Sequence, residues 1–246
     1  MEIIYKKETH STNDDVRQLM RETQKASVVV SAEFQRNGRG QAGNHWESEK
    51  AQNLLFSIGV RPSFLPAIRQ FLLLQVGAIA ICQTLEEYAD GFSIKWPNDI
   101  LLDGKKLVGI LSEMNGEYGK LNFVVIGIGI NTHAEKQDFP KDVQDIAVSL
   151  HEKATKKFTR EQILSQILFN LEKEFEEAEQ NGFAQIFNEW RKLSCTLNKL
   201  VKVIAPDKTY LGKALDIDEA GMLVVQKDDG TIEKVVAGDV SIRAAE

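Results

Sequence analysis

The chain reads as an α+β body with a small β-barrel appended at its C-terminal end. Three observations predict this. Short apolar or alternating runs are interleaved with helical stretches up to about residue 193. One stretch, Phe71 to Leu85, is apolar on nearly every side, as a helix buried in a core would be. From Leu200 onward, five short strand-like runs recur between turn residues within fifty positions.

The elements follow in order. Ile3 to Tyr5 suits a short strand. In HSTNDDVRQLMRE, Ser11, Thr12 and Asn13 are candidate N-caps, two aspartates occupy the first turn, and Val16, Leu19 and Met20 form an amphipathic stripe. Strands are expected at 27–34 and 53–60. Pro66 should open the buried helix, which runs to about Ala89. FSIKWPND returns as a strand ending at Pro97. Asp103-Gly104 turns ILL into KLVGILSEM, and Asn115-Gly116 with Gly119 turns that into KLNFVVIGIGIN. Residues 132 to 158 are polar and irregular. Thr159 and Gln162 form a capping box for a helix that carries Ile163, Ile167, Leu168, Leu171 and Phe175 and stops at Asn181-Gly182. A second helix runs from about Phe183 to Leu193. The barrel strands are separated by Pro206-Asp207, Glu219 to Gly221, Asp229-Gly230 and Gly238-Asp239. The expected division is a body of residues 1–195 and a small domain of residues 196–246.

Composition excludes several classes. A formal charge of −6 and a pI near 5.4 argue against a dedicated nucleic-acid binder, though a local basic site is allowed. Cys82 and Cys195 are the only cysteines, so neither a disulfide framework nor a cysteine zinc site is expected, and a reducing compartment is the simpler reading. MEIIYKKETHSTNDD is too polar for a signal peptide, and Gln75 and Gln83 interrupt the most apolar stretch short of a membrane span. A cytoplasmic protein is expected, with no membrane partner.

Residues 38–43, GRGQAG, match G-x-G-x-x-G, the pattern of a dinucleotide-binding turn. That turn needs a strand just before its first glycine and a helix opening at its last. Here seven residues separate Val30 from Gly38, and the next regular run, LLFSIGV, is strand-like. The glycines therefore sit in a strand-to-strand loop with Arg39 in its middle, and a nicotinamide or flavin enzyme is not expected.

Other polar or bare positions interrupt apolar runs. Lys95 and Asp99 bracket Trp-Pro-Asn, as a site or as an ordinary strand end. Lys106 follows a hairpin turn and could equally be a solvated tip. Gly127 and Gly129 gap a strand, which marks a bulge or the close approach of a ligand. Together, a guanidinium, a lysine, a carboxylate and bare backbone suit an ATP phosphate with Mg²⁺. There is no G-x-x-x-x-G-K-[ST], no recognisable nucleophile setting, and no metal-ligand spacing among the four histidines. Phosphate chemistry without a covalent nucleophile points to adenylyl transfer.

KWPND at 95–99, KLVGILSE at 106–113 and GIGIN at 127–131 resemble the signature of biotin–protein ligases. STN at 11–13, GRGQAGNHW at 38–46 and GDVSIR at 238–243 resemble further segments of that family in the same order. The resemblance implies a mixed β-sheet backed by helices, similar to the catalytic domain of class II aminoacyl-tRNA synthetases, plus a C-terminal β-barrel. It implies that biotin and ATP give biotinyl-5′-AMP, with Mg²⁺, and that biotin passes to a lysine of a biotin carboxyl carrier protein or domain. By match, Lys106 and Arg39 would be catalytic. Ser11, Thr12, Asn13, Gln35, Gly38, Arg39, Gly40, Gln41, Trp46, Lys106 and Gly109 would bind biotin. Arg39, Asn98, Asp99, Lys106, Asn131 and Arg243 would bind ATP, with Asp99 the candidate Mg²⁺ ligand. Two departures stand out. Gln41 occupies a position commonly arginine in the family, so weaker retention of the adenylate is expected. The catalytic part begins near residue 1, so the N-terminal DNA-binding domain of many relatives is not expected. Rival readings are a lipoate or octanoate ligase of the same fold and a non-catalytic biotin sensor. Exposed sheet edges would accommodate an acceptor or a second subunit in a homodimer.

Overall fold

In a computed structural model, residues 2–47, 51–62, 65, 69–97, 99–117, 120–205, 208–237 and 241–244 are described. The body is a seven-stranded mixed sheet in the order β1-β2-β3-β7-β6-β5-β4. Its strands are β1 (Ile3–Lys6), β2 (Ser27–Ala32), β3 (Leu54–Val60), β4 (Phe92–Lys95), β5 (Asp99–Leu102), β6 (Lys105–Glu117) and β7 (Lys120–Ile130). β1 runs parallel to β2, and every other neighbouring pair is antiparallel.

Both faces of the sheet centre are covered, which explains the near-continuous apolar runs of β2, β3 and β7. On one face, Val124, Ile126, Ile128 and Ile130 join the main core with helix α2 (Leu72–Leu85) and helices α3 (Arg160–Asn181) and α4 (Ala184–Leu193). On the other, Val28, Val30, Phe123 and Val125 pack under α1 (Thr12–Glu22) through Val16 and Met20. Gly59 belongs to this second face: a Cβ there would meet Val16 and Met20 at 2.7 and 2.5 Å, so bare backbone lets α1 lie close. We call the α1 side the front.

The local signals hold where chemistry is local. Thr159 accepts from the Gln162 amide at 3.2 Å while Gln162 reaches back to the Thr159 N–H at 2.9 Å, the reciprocal box read from sequence. Asp103 and Gly104 both have positive φ, +49° and +78°, as a two-residue hairpin demands. Other boundaries move. The buried helix begins at Leu72 and ends at Leu85, and Pro66 lies outside the described residues. Of the turn expected from Asn115-Gly116 with Gly119, Asn115-Gly116 lies within β6, which continues to Glu117 with a register shift against β7 at the pair, and Gly119 lies outside the described residues.

The C-terminal strands β8 (Leu200–Ile204), β9 (Thr209–Ile217), β10 (Leu223–Gln226), β11 (Ile232–Val235) and β12 (Ser241–Ala244) form one antiparallel sheet in the order β11-β10-β9-β8-β12. No pairing closes β11 onto β12 among the described residues, so the expected barrel is here an open five-stranded sheet. It is joined to the body through a shared core that includes Val201, Leu223 and Val225. The Trp96 indole also donates to the Gly221 carbonyl at 3.2 Å. Among the described residues, no helix is long and apolar enough to cross a membrane.

Candidate active site

One row of paired residues crosses the front of the sheet: Leu55 on β3, Gly129 on β7, Gly109 on β6, Asp99 on β5 and Lys95 on β4. KWPND, KLVGI and GIGIN, far apart in sequence, are thus neighbours because antiparallel register brings them level. The two central glycines leave the sheet bare, and the Trp46 ring covers the gap. A Cβ at Gly129 would meet that ring at 2.5 Å, and one at Gly109 at 2.7 Å.

Trp46 reaches this floor through the glycine loop. The loop has no helix of consequence, only a single 3-10 turn at Gln41–Gly43. Its ends are tied by Trp46 N–H donating to Gly38 O at 2.9 Å and Gly40 N–H donating to Asn44 O at 2.7 Å. A Cβ on Gly38 would stand 2.4 Å from the Trp46 carbonyl, so the first glycine serves loop closure rather than a dinucleotide. Arg39 and Trp46 are thereby presented to one cleft, with Ser11, Thr12, Asn13 and Gln35 at one end and Lys95, Asp99 and Lys106 at the other.

The charges are unevenly paired. Arg39 donates through Nη1 and Nη2 to both Asp14 oxygens at 2.8 Å and meets Glu113 Oε2 at 3.3 Å, while its buried Nε makes no hydrogen bond. Lys106 Nζ lies 2.7 Å from Asp99 Oδ1 and 5.6 Å from the centre of the Trp46 ring. The Lys106 main chain is clamped: its N–H donates to Ile146 O, and its carbonyl accepts from Val148 N–H and from Asn131 Nδ2. The half-buried Lys95 ammonium lines the same cleft and has no carboxylate partner among the described residues. An unneutralised cation in a cleft favours a bound anion.

The Arg39 guanidinium beside Asp14 holds that carboxyl below its ordinary range, and Asp14 in turn raises Arg39. A carboxyl lowered in the folded state adds stability above its unfolded value, near pH 4, and loses it as pH falls through the folded value. The melting-temperature gap between wild type and Asp14→Asn should therefore be full from pH 7 to 5 and close only below about pH 4. A gap that closes between pH 7 and 5 would contradict this pairing.

Most residues matched from sequence meet in this cleft: Ser11, Thr12, Asn13, Gln35, Arg39, Gly40, Gln41, Trp46, Asp99, Lys106 and Gly109 line it. Gly38, buried at the loop's closing contact with Trp46, does not line it. Asn131 is buried and does not line the cleft; its side chain holds the Lys106 carbonyl. Asn98 lies outside the described residues, and Arg243 is on β12 in register with Lys202. Sequence reasoning marked Lys95 as one bracket of Trp-Pro-Asn without giving it a ligand, and gave no site role to Ser57, Asp14 or Glu113. For Lys95 a signal existed, a lysine in a strand end otherwise apolar; for the others only long-range pairing identifies them. Asp99 is the one carboxylate lining the cleft, and no cluster of three or more potential metal ligands occurs among the described residues. That donor set fits Mg²⁺, which keeps waters and relies on one or two carboxylates plus phosphate oxygens.

A polar end, an aromatic wall and a cationic end in one cleft define an enzyme that sets a small ligand against a phosphate-bearing one. Comparison with known proteins agrees. Residues 5–131 match the Biotin/lipoate A/B protein ligase family, and residues 196–243 match the Biotin protein ligase C terminal domain. The chain belongs to this family. It is 34% identical over 241 residues to the bifunctional ligase/repressor BirA of Bacillus subtilis, covering 98% of this chain and 74% of that protein. It is 32% identical to the biotin–[acetyl-CoA-carboxylase] ligase of Mycobacterium tuberculosis, covering 95% and 86%. The biotin protein ligase of Aquifex aeolicus solved with biotin and ATP superposes with a TM-score of 0.83 at 25% identity, covering 99% of each chain.

Proposed function

We propose that this chain is a biotin–protein ligase that activates biotin with ATP and transfers it to a lysine of a biotin carboxyl carrier protein or domain. The observation that carries the reading is the cross-sheet row, which brings Lys95 and Asp99 level with the glycine floor under Trp46, together with Lys106, which meets both Asp99 and the Trp46 ring, opposite the polar end formed by Thr12, Asn13 and Gln35. The match of residues 196–243 to a biotin protein ligase domain supports biotin over lipoate.

In the first step, a biotin carboxylate oxygen attacks the ATP α-phosphorus, the bond to the β-phosphate oxygen breaks, and pyrophosphate leaves. Lys106 is placed to balance charge on the carboxylate and the α-phosphate, and Arg39 to meet the adenylate once it leaves Asp14. Bound Mg²⁺ would neutralise the triphosphate, with Asp99 as its protein ligand. In the second step, a neutral lysine amine of the acceptor attacks the acyl carbon. AMP departs, and the amine gives up its proton. Ser11, Thr12, Asn13 and Gln35 serve the ureido end.

ATP–pyrophosphate exchange with biotin, with lipoate and with neither tests the reading. Exchange with biotin alone is expected; exchange with lipoate, or with neither ligand, overturns it. Lys95 is assigned to the leaving pyrophosphate. Lys95→Met should raise the KM for ATP about tenfold, the worth of one charge-assisted contact, and leave biotin binding within twofold. An unchanged KM for ATP would remove Lys95 from the site.

A further inference from the structure

Leu111, Gly127 and Ser57 stand level on β6, β7 and β3, one step along from the glycine pair on the same front face. Asn13 lies over Gly127, where a Cβ would meet its Oδ1 at 2.2 Å. Its amide is gripped from both sides. The fully buried Ser57 donates to Oδ1 at 2.5 Å, and Asn13 Nδ2 donates to Glu113 Oε2 at 2.6 Å. Glu113 also meets Arg17 Nη2 at 2.8 Å through its other oxygen and Arg39 Nη2 at 3.3 Å. It does not line the cleft.

We infer that Glu113 is a positioning residue that sets the hydrogen-bond polarity of the biotin end and ties it to Arg39. A carboxylate that meets two guanidiniums offers acceptor oxygens to them and to Asn13 alike. Asn13 must therefore turn its NH₂ to Glu113 and its oxygen to Ser57. Ser57 gives its single hydrogen to Asn13, so it cannot donate in the 2.7 Å contact with Thr12 Oγ1. The Thr12 hydrogen is then directed inward, to Ser57 or to Gln35 Oε1 at 3.0 Å. What Thr12 can offer the cleft is lone pairs, the complement of a ureido N–H. A flipped Asn13 would set oxygen against oxygen at Glu113 and reverse the chain. One side chain thus fixes the orientation of Asn13 on α1 and adds a second carboxylate, after Asp14, to the hold on Arg39 in the glycine loop.

The inference rests on the biotin reading, and the wild-type exchange assay decides that reading separately. Given biotin-dependent exchange, Glu113→Gln should raise the KM for biotin about tenfold or more, because the amide admits both orientations of Asn13. It should also raise the KM for ATP through Arg39, while kcat at saturation stays within about threefold. Ser57→Ala breaks the chain without touching Arg39, so it should raise the KM for biotin and leave that for ATP unchanged. Glu113→Asp, still an acceptor only, should recover biotin affinity better than Glu113→Ala. N-methylation of the biotin ureido should be penalised less in Glu113→Gln than in wild type. A biotin KM within twofold of wild type in Glu113→Gln overturns the inference. So does a fall confined to kcat, or an aspartate variant no better than alanine.

Discussion

Replacing Lys106 with methionine should slow biotin-dependent ATP–pyrophosphate exchange by about 10²–10³-fold, with the fold intact. The size follows from electrostatics. Two unit charges about 4 Å apart interact by roughly 4 kcal/mol at an effective dielectric near 20, and the partial exposure of Lys106 trims that. Loss of about 3–4 kcal/mol from a transition state is a factor of several hundred. The pairing of Lys106 with Asp99 need not cancel this effect: were Asp99 to hold Mg²⁺, its charge would be met by the metal and Lys106 would be free to face the reacting oxygens. Position should matter as much as charge. Asn131, Ile146 and Val148 fix the Lys106 main chain, so the ammonium is delivered from a rigid stem. Lys106→Arg should recover less than a tenth of the loss, since a planar fork cannot occupy the place of a compact ammonium. Exchange by Lys106→Met within tenfold of wild type would show that Lys106 does not act on the reacting atoms.

What could be read from sequence was what short range decides. The Thr159–Gln162 box and the Asp103-Gly104 turn involve residues one to three apart, and their chemistry is complete within the quoted string. Asn115-Gly116 carries the same turn chemistry yet lies within β6. Pairing with β7 continues past it, and tertiary register outweighs a dipeptide preference. The helices showed as amphipathic or uniformly apolar, but strand order did not. Nothing in periodicity says that β7 lies between β3 and β6, so the gaps at Gly127 and Gly129 do not by themselves reveal that Gly109 lies level with Gly129 to form one floor. The site divides likewise. Residue types such as Arg39 and Lys106 could be picked out by chemistry, whereas Ser57 and Glu113 touch Asn13 across 44 and 100 residues. Asn131, expected from its match to contact ATP, has its buried side-chain amide on the Lys106 carbonyl, a contact that only the register of β6 and β7 reveals.

The glycine floor gives the second large effect. Gly129→Val should weaken biotin binding by about 100-fold or more, measured by calorimetry, and do so with a smaller effect on ATP. Gly129 has no positive φ, so backbone strain is not the cause; the constraint is contact. A Cβ there would lie 2.5, 2.7 and 2.8 Å from Trp46 Cε2, Cζ2 and Nε1. No real carbon tolerates three such approaches, so the ring must lift. Trp46 cannot slide sideways easily, because its own N–H is held by Gly38 O and Lys106 lies against its ring. Lifting the indole removes the apolar wall of the cleft, and an aromatic side chain lost from a pocket is worth about 3 kcal/mol or more. Gly109→Ala tests the same floor from the neighbouring strand, with its Cβ 2.7 Å from Trp46 Cζ3. If the ring is what matters, pairing Gly129→Val with Trp46→Ala should cost little more than either change alone. Additive losses would mean that the glycine serves the sheet and not the biotin wall.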